Sequence, residues 1–498
     1  MNETGTISIT PAAWLDRQRA YQRRAPRGPI TLRLDANEGE GPPTELIDAA
    51  RPVFSECCSA YPDTSKLGAM LASRNGVGPQ RVLVTAGADD ALQRLCRVML
   101  EPGRRALMTR PTFEMIPRLV RAVGGAADEV AWMDGPLPLN AMIERITPET
   151  SIIFVVSPNN PTGSVASVQD IRALSAAAPN ALIVLDHAYV EFAEEDLTRE
   201  VLRLPNVAVT KTLSKAWGLA GLRVGYLLAS PEVIAWAKAA GLPYAVSGLS
   251  LAIAERILAT REGAMKSRVE RTREEVRELV RLLAALGEQP LRSQANFVLA
   301  RCRNAPLLAD LLASLGIAVR TFPDQDDIAD CVRIGCPGNE AQFLRLSRAL
   351  TVALKPAGIL LDVDSTLETG ASAALILGDS RRVRRLAHRC ALGIVTSLPP
   401  ERVERWILGS GLGEVIRVLP VDQGGSRHDR ALKELGATCG WVIADTPGGV
   451  EAGREAGIAP FGIVPSTAAD GADRSDTLMS SGAARVLASL SQLSEILS

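Results

Sequence analysis

Lys215 stands in TKTLSKAWGLAGLRVGY (210–226), just past an apolar run, with hydroxyls at Thr212 and Ser214 and a guanidinium at Arg223. An amine so placed forms a Schiff base with a carbonyl and, once displaced, serves as a base that moves a proton. The two hydroxyls and the arginine fork suit a phosphate dianion. Gly218, Gly221 and Gly225 let backbone pass closely in the turn between.

Three more segments end in residues of matching chemistry. SPNNPTG (157–163) follows the run SIIFVV and puts Asn160 beyond a strand end, where open α/β sheets bind ligands. ALIVLDHAY (181–189) ends a second run at Asp186, with Tyr189 three residues on. TAGADDAL (85–92) aims the amides of Gly87, Ala88 and Asp89 at an anion from a helix N-terminus. Together these residues meet the needs of pyridoxal phosphate. Lys215 answers the aldehyde, and Asp186 keeps the ring nitrogen protonated. Asn160 and Tyr189 donate to the phenolate oxygen, and the remaining groups hold the phosphate.

The elements that must carry these residues are short apolar runs alternating with helical stretches: RVLVTAG, RALMTR, SIIFVVSP, ALIVLDHAY, VAVTKT and RVGYLLAS. That pattern predicts an α/β fold with a mostly parallel sheet covered on both faces. From about 231 to 351 long amphipathic helices precede NFVLAR, GIAVRTF and CVRIGC, which predicts a linking helix and a smaller α+β lobe. A second α/β pattern begins at GILLDVDST after the joint LKPA (354–357). The expected division is 1–355 and 356–498. Within the first part, about 45–240 forms the large domain, and about 1–44 with 241–355 the small lobe.

Composition sets the limits. With 55 Lys and Arg against 56 Asp and Glu, net charge gives no reason to expect nucleic acid or an anionic membrane as partner. No apolar run approaches a membrane span. MNETGTISITPAAW shows no leader pattern, and the eight cysteines (57, 58, 96, 302, 331, 336, 390, 439) form no CxxC pair, so a reduced, cytoplasmic protein is expected. Three histidines without ligand spacing make a zinc site unexpected.

In order and spacing, LDANEGEGPP, YPDTSKLGAML, TAGADDAL, PTFEM, SPNNPTG, LDHAYVEF, TLSKAWGLAGLRVGY, QANFVLAR and CVRIGCPG resemble the fold-type I pyridoxal-phosphate enzymes of aminotransferase class I/II, most closely the histidinol-phosphate aminotransferases. The resemblance spans essentially all of 1–355. It implies a homodimer with shared active sites, exchanging an amino group between a small-molecule donor and an oxo acceptor. It makes Tyr61 the residue that reaches the neighbouring subunit's cofactor phosphate and Phe113 the aromatic that stacks on the pyridine face. Arg333 becomes the fork on the substrate carboxylate, with Asn37 and Arg320 as further substrate contacts. A phospho-amino-acid decarboxylase shares nearly the same motifs, so decarboxylation stays open beside transamination.

The chain departs from those relatives near the substrate. They carry ANENPYGP where this chain has ANEGEGPP, which reaches Gly-Pro one residue sooner, lacks the tyrosine and gains Glu40. An anion there disfavours a substrate phosphate. His187 replaces a usual glutamate beside Asp186, where a histidine could tune packing or titrate.

In the second part, GILLDVDSTLE (358–368) ends a strand in Asp362 and Asp364, two carboxylates able to point together around Mg²⁺ and a phosphate. This resembles motif I of the haloacid-dehalogenase superfamily, which implies a Rossmann-like domain without a large cap. Asp362 would be nucleophile, Asp364 acid/base, Thr396 the phosphate-binding hydroxyl and Asp445 a metal ligand. Two features differ. Gly449 holds the position of a usual second acid, and for the usual lysine QGGSRHDRALKELG offers Arg427 or Lys433, neither in the expected lysine-proline context. A bifunctional aminotransferase/phosphatase and a non-catalytic module are both compatible with this pattern.

Overall fold

The computed structural model describes residues 13–15, 28–48, 51–368, 372–420, 427–465 and 471–497. They fall in two compact units. The first holds Glu38–Glu274 with Leu291–Phe297, and the second holds Glu275–Pro290 and Val298 onward, with the residues just before Glu38.

The first unit is built on seven strands. In sheet order they are Val82–Thr85, Gly225–Leu228, Val207–Thr212, Leu182–Asp186, Thr150–Val156, Arg105–Arg110 and Ala126–Ala131. Gly225–Leu228 runs antiparallel to both neighbours, and the other pairings are parallel. Every residue of the three central parallel strands is buried. The period-two alternation of a strand splits their side chains between two cores. Ile153, Val155, Ile183, Leu185 and Val209 enter one, while Ile152, Phe154, Val184 and Ala208 enter the other. Helix Gly87–Met99 covers a face by burying Ala91, Leu92 and Leu95.

Helix Glu262–Ala285 serves both units. Val269 lies in a first-unit core, whereas Val276, Leu279 and Leu283 lie in the core of the second. The expected small-lobe segment 241–274 therefore groups with the large domain, because Leu251, Ile253, Ala254, Ile257 and Leu258 of helix Gly248–Thr260 are buried there.

The second unit contains a four-stranded sheet, ordered Arg320–Thr321, Cys331–Gly335, Phe297–Arg301, Gln289–Pro290. It also contains a six-stranded parallel sheet, ordered Ile416–Pro420, Ala391–Thr396, Gly358–Asp362, Gly440–Ala444, Ala459–Ile463, Val486–Leu487. The join expected at 355/356 falls inside this unit. One apolar core holds Leu308, Leu312, Leu346 and Leu350 from before the join together with Ile359, Leu361, Trp441 and Phe461 from after it. Trp441 Nε1 donates to the Val352 carbonyl at 2.8 Å, and Arg454 Nε to the Ser314 carbonyl at 2.9 Å. No helix among the described residues is long and apolar enough to cross a membrane, and the eight cysteines are all free.

Candidate active site

Parallel pairing aligns the carboxyl ends of the central strands. Val156 pairs with Asp186, and Asp186 with Thr210. These strand ends emerge at one edge, where Asn160, Asp186, Tyr189, Thr212 and Ser214 are buried and Lys215 is partly buried.

Asp186 is the last residue of its strand and is buried. Its Oδ1 accepts from the Thr210 hydroxyl at 3.0 Å and from the Ala188 amide at 3.2 Å. Burial pushes its pKa up to about 6; the Thr210 and Ala188 hydrogen bonds and the charge of Lys215 oppose that, while Asp89 adds to it. A buried carboxylate with two donors on one oxygen can offer the other to a protonated ring nitrogen. Thr210 is absent from the sequence-derived site. Its signal was present, because it lies two residues before Thr212 on the same face of the strand.

Tyr189 lies beside Asn160, whose Nδ2 approaches the phenol oxygen at 3.5 Å, and its ring meets Phe297 edge-on at 5.2 Å. Lys215 Nζ stands 5.6 Å from the Tyr189 ring centroid. Lys211, the other lysine of this segment, points to the opposite strand face. There it pairs with Asp196 at 2.9 Å among His187, Glu191 and Tyr226. His187 belongs to that rear cluster. Its Nδ1 is 3.3 Å from the Thr198 hydroxyl, and burial together with the Lys211 charge pushes its pKa down to about 3. The ring is thus neutral and engaged by Thr198 and Asp196.

The anion-binding end forms from Thr212, Ser214, Arg223 and the start of helix Gly87–Met99. Thr212 Oγ1 and Ser214 Oγ are 2.9 Å apart, and the Ser214 amide donates to Thr212 Oγ1 at 3.1 Å. Arg223 has left-handed backbone, φ 52°, and its Nη2 meets Asp89 Oδ2 at 3.1 Å. Gly87, φ 81°, is required. A Cβ there would lie 2.6 Å from Arg223 Nη2, so a side chain would fill the space where the guanidinium meets the helix amides. A cation, two hydroxyls and helix-terminal amides fit a phosphate. With Lys215 and Asp186 they fit pyridoxal phosphate.

Two turns flank this end. Phe113 is partly buried against the core of Met108 and Ile116, and Asn159 Nδ2 donates to the Pro111 carbonyl at 3.0 Å, tying the PTF and NNP turns together. Tyr61 is 81% exposed and stacks on Tyr244, itself 58% exposed, with centroids 4.5 Å apart.

Arg268 is a second residue that sequence reasoning missed. Its Nη1 donates to the Glu40 carbonyl at 2.7 Å and its Nη2 to the Lys215 carbonyl at 3.1 Å. One guanidinium therefore fastens the ANEGEGPP loop to the backbone of Lys215. The Glu40 residue itself is exposed. An arginine inside a long charged helix carries no sequence signature of this role.

In the second unit, Arg320 and Arg333 are directly opposed in antiparallel register, and their guanidinium carbons stand 5.9 and 6.0 Å from the Phe322 ring centroid. Arg333 Nη2 donates to the Asp35 carbonyl at 2.7 Å. Asn37, two residues on, is buried with left-handed backbone, φ 55°.

The six-stranded sheet brings Asp362, Thr396 and Asp445 to one edge, since they end or directly follow adjacent parallel strands. Each carboxylate is engaged from within the chain. Arg427 and His428 approach Asp362 Oδ2, His428 Nε2 at 2.8 Å. Asp364 accepts from the Thr396 hydroxyl at 2.6 Å and from the Ser397 amide and hydroxyl at 2.8 Å each. Asp445 accepts from the Thr366 amide at 2.6 Å and its hydroxyl at 2.5 Å, and burial raises its pKa. Lys433 is paired with Asp429 at 2.6 Å. Among the described residues no three His, Cys, Asp or Glu side chains form a metal-binding group, Asp362, Asp364 and Asp445 included.

Residues 32–350 match the family model for aminotransferase class I and II. An aromatic amino acid aminotransferase of Mycobacteroides abscessus is 35% identical over 331 residues, covering 64% of this chain and 93% of that protein. A histidinol-phosphate aminotransferase of Paracoccus denitrificans is 31% identical over 326 residues, covering 64% and 88%. Among solved structures, histidinol-phosphate aminotransferase from Sinorhizobium meliloti in complex with pyridoxal 5'-phosphate aligns with a TM-score of 0.60 at 27% identity, over 66% of this chain and 91% of that one.

Proposed function

The chain belongs to the aminotransferase class I and II family and is a pyridoxal-phosphate-dependent aminotransferase, and from that premise we propose how its own residues divide the work. When bound, the cofactor supplies an electron sink for the bond at the substrate Cα. Lys215 holds the cofactor aldehyde and, once released, moves the proton from Cα. Asp186 holds the ring nitrogen in its protonated form. Asn160 and Tyr189 orient the phenolate side, Phe113 covers the ring face, and Thr212, Ser214, Arg223 and the Gly87–Asp89 turn anchor the phosphate. The observation that carries this reading is Asp186, buried at a strand end with Thr210 behind it, beside Lys215 and Tyr189.

Substrate recognition rests on Arg333 and Arg320. Arg333 and Arg320, opposed across the antiparallel pair, suit donors and acceptors with a carboxylate for Arg333 and a second anion for Arg320. Histidinol-phosphate and aromatic amino acid aminotransferases are both similar to this chain; a 2-oxo dicarboxylate supplies both anions, and a phosphate ester of an amino alcohol supplies the one suited to Arg320. Tyr61, exposed beside Tyr244, is suited to complete the site of a second copy in a homodimer. Residues 358–497, with a central strand ending in Asp362 and parallel neighbours on both sides, support a haloacid-dehalogenase-like fold, so the functional division stays near 355.

A spectral screen tests the substrate reading. Amino acids and amino-alcohol phosphates are mixed with holoenzyme, and conversion of bound aldehyde to amine is followed. Arg320→Ala is expected to lose about tenfold in kcat/KM on dianionic donors, and little on alanine, for one charged hydrogen bond. An equal loss on both classes counts against a second anion at Arg320.

A further inference from the structure

At the carboxyl edge of the six-stranded sheet, the side chains do not fit the cation that the Asp362, Asp364 and Asp445 pattern predicts. Mg²⁺ holds near-octahedral oxygen ligands at about 2.0–2.1 Å and needs carboxylate oxygens free to reach it. Here Asp362 Oδ2 faces a guanidinium and an imidazole, and all three side chains are largely buried. A dication brought to that oxygen would meet the Arg427 charge at close range in a poorly screened setting. Asp364 and Asp445 are equally committed, to Thr396 and Ser397 and to Thr366.

Position 449 closes the same corner sterically. A Cβ built on Gly449 would lie 2.9 Å from Ala444 Cβ and 3.1 Å from Asp362 Oδ2. An acidic side chain there would crowd the carboxylate as well as repel it. The missing acid and the added arginine thus belong to one arrangement, in which the protein supplies its own counter-charge.

We infer that Arg427 and His428 replace a metal ion at Asp362, and that residues 358–497 form a metal-independent module that completes the small lobe without hydrolysing phosphate esters. Its contacts within the second unit agree with that role. Trp441 and Arg454 donate to the carbonyls of Val352 and Ser314, Arg485 Nε stands 3.3 Å from Asp310 Oδ2, and both sides share one apolar core. The inference is independent of the Lys215 reading, and its readouts do not involve the aminotransferase site.

The test uses the full-length holoenzyme. Thermal unfolding is followed with MgCl₂ against NaCl of matched ionic strength, alongside hydrolysis of p-nitrophenyl phosphate. The expected result is no Mg²⁺-specific change in midpoint, no Mg²⁺-dependent hydrolysis, and a lower midpoint in Asp362→Asn. A saturable Mg²⁺-specific rise that Asp362→Asn abolishes would overturn the inference. So would Asp362-dependent ester hydrolysis, or an unchanged midpoint in Asp362→Asn. If Asp362→Asn yields no soluble protein, His428→Gln, which keeps a donor, is compared with His428→Leu, which removes it. A midpoint held by Gln and lowered by Leu supports the contact, and equal midpoints overturn it.

Discussion

The Thr210 hydroxyl donates to Asp186 Oδ1 across 3.0 Å, on the oxygen that the Ala188 amide also holds. A donor to the charged form favours ionisation, so Thr210 offsets part of the upward push that burial exerts on Asp186. Thr210→Val is expected to raise the Asp186 pKa, shift the acid limb of kcat to higher pH and lower kcat about tenfold, in line with a hydrogen bond to a charged group. Thr210→Ser is expected to restore both. A pH–rate series checks this. A Val variant that loses stability with an unmoved acid limb would reduce Thr210 to a packing role.

Asp186 makes cofactor-free protein sensitive to pH. Its folded pKa, about 6, lies above the 3.8 of an ordinary aspartate, so the folded state binds more protons between those values. Stability then falls as pH rises through that window, by up to about 3 kcal/mol before solvent relaxation. Asp186→Asn removes the charge and is expected to flatten the slope between pH 4 and about 6, raising cofactor-free stability at neutral pH while kcat falls. Denaturant melts of cofactor-free protein at several pH values measure it. An unchanged slope would place the pH dependence elsewhere.

The cofactor constellation was legible because each member follows an apolar run, and parallel pairing sends run ends to one edge. Asn160, Asp186 and Lys215 needed only strand order to meet. Thr210 and Arg268 were not legible in that way. One is an ordinary strand threonine, and the other acts through carbonyl groups 228 and 53 residues away. The unit boundary was obscured because the LKPA joint looks like a linker while Val352, Ala353 and Ile359 share one core across it. In the second unit the aspartates were legible, but Arg427 reaches Asp362 across 65 residues of sequence.

Arg268 links the Glu40 and Lys215 carbonyls, so its loss frees the loop that carries Asn37. Arg268→Ala is expected to raise KM about tenfold with a smaller fall in kcat, for two charge-assisted hydrogen bonds to backbone. Arg268→Lys, keeping one donor, should lie between. Steady-state kinetics separate the two constants, and a change confined to kcat would argue against a substrate-loop role.

Lys215, not the neighbouring Lys211, is placed to carry the cofactor, because Lys211 is committed to Asp196 on the far strand face. Borohydride reduction of holoenzyme, followed by peptide mass mapping, fixes the cofactor to its lysine without relying on any variant. The pyridoxyl mass is expected on the peptide bearing Lys215 and at that residue. The same mass at Lys211 or at any other lysine would contradict it.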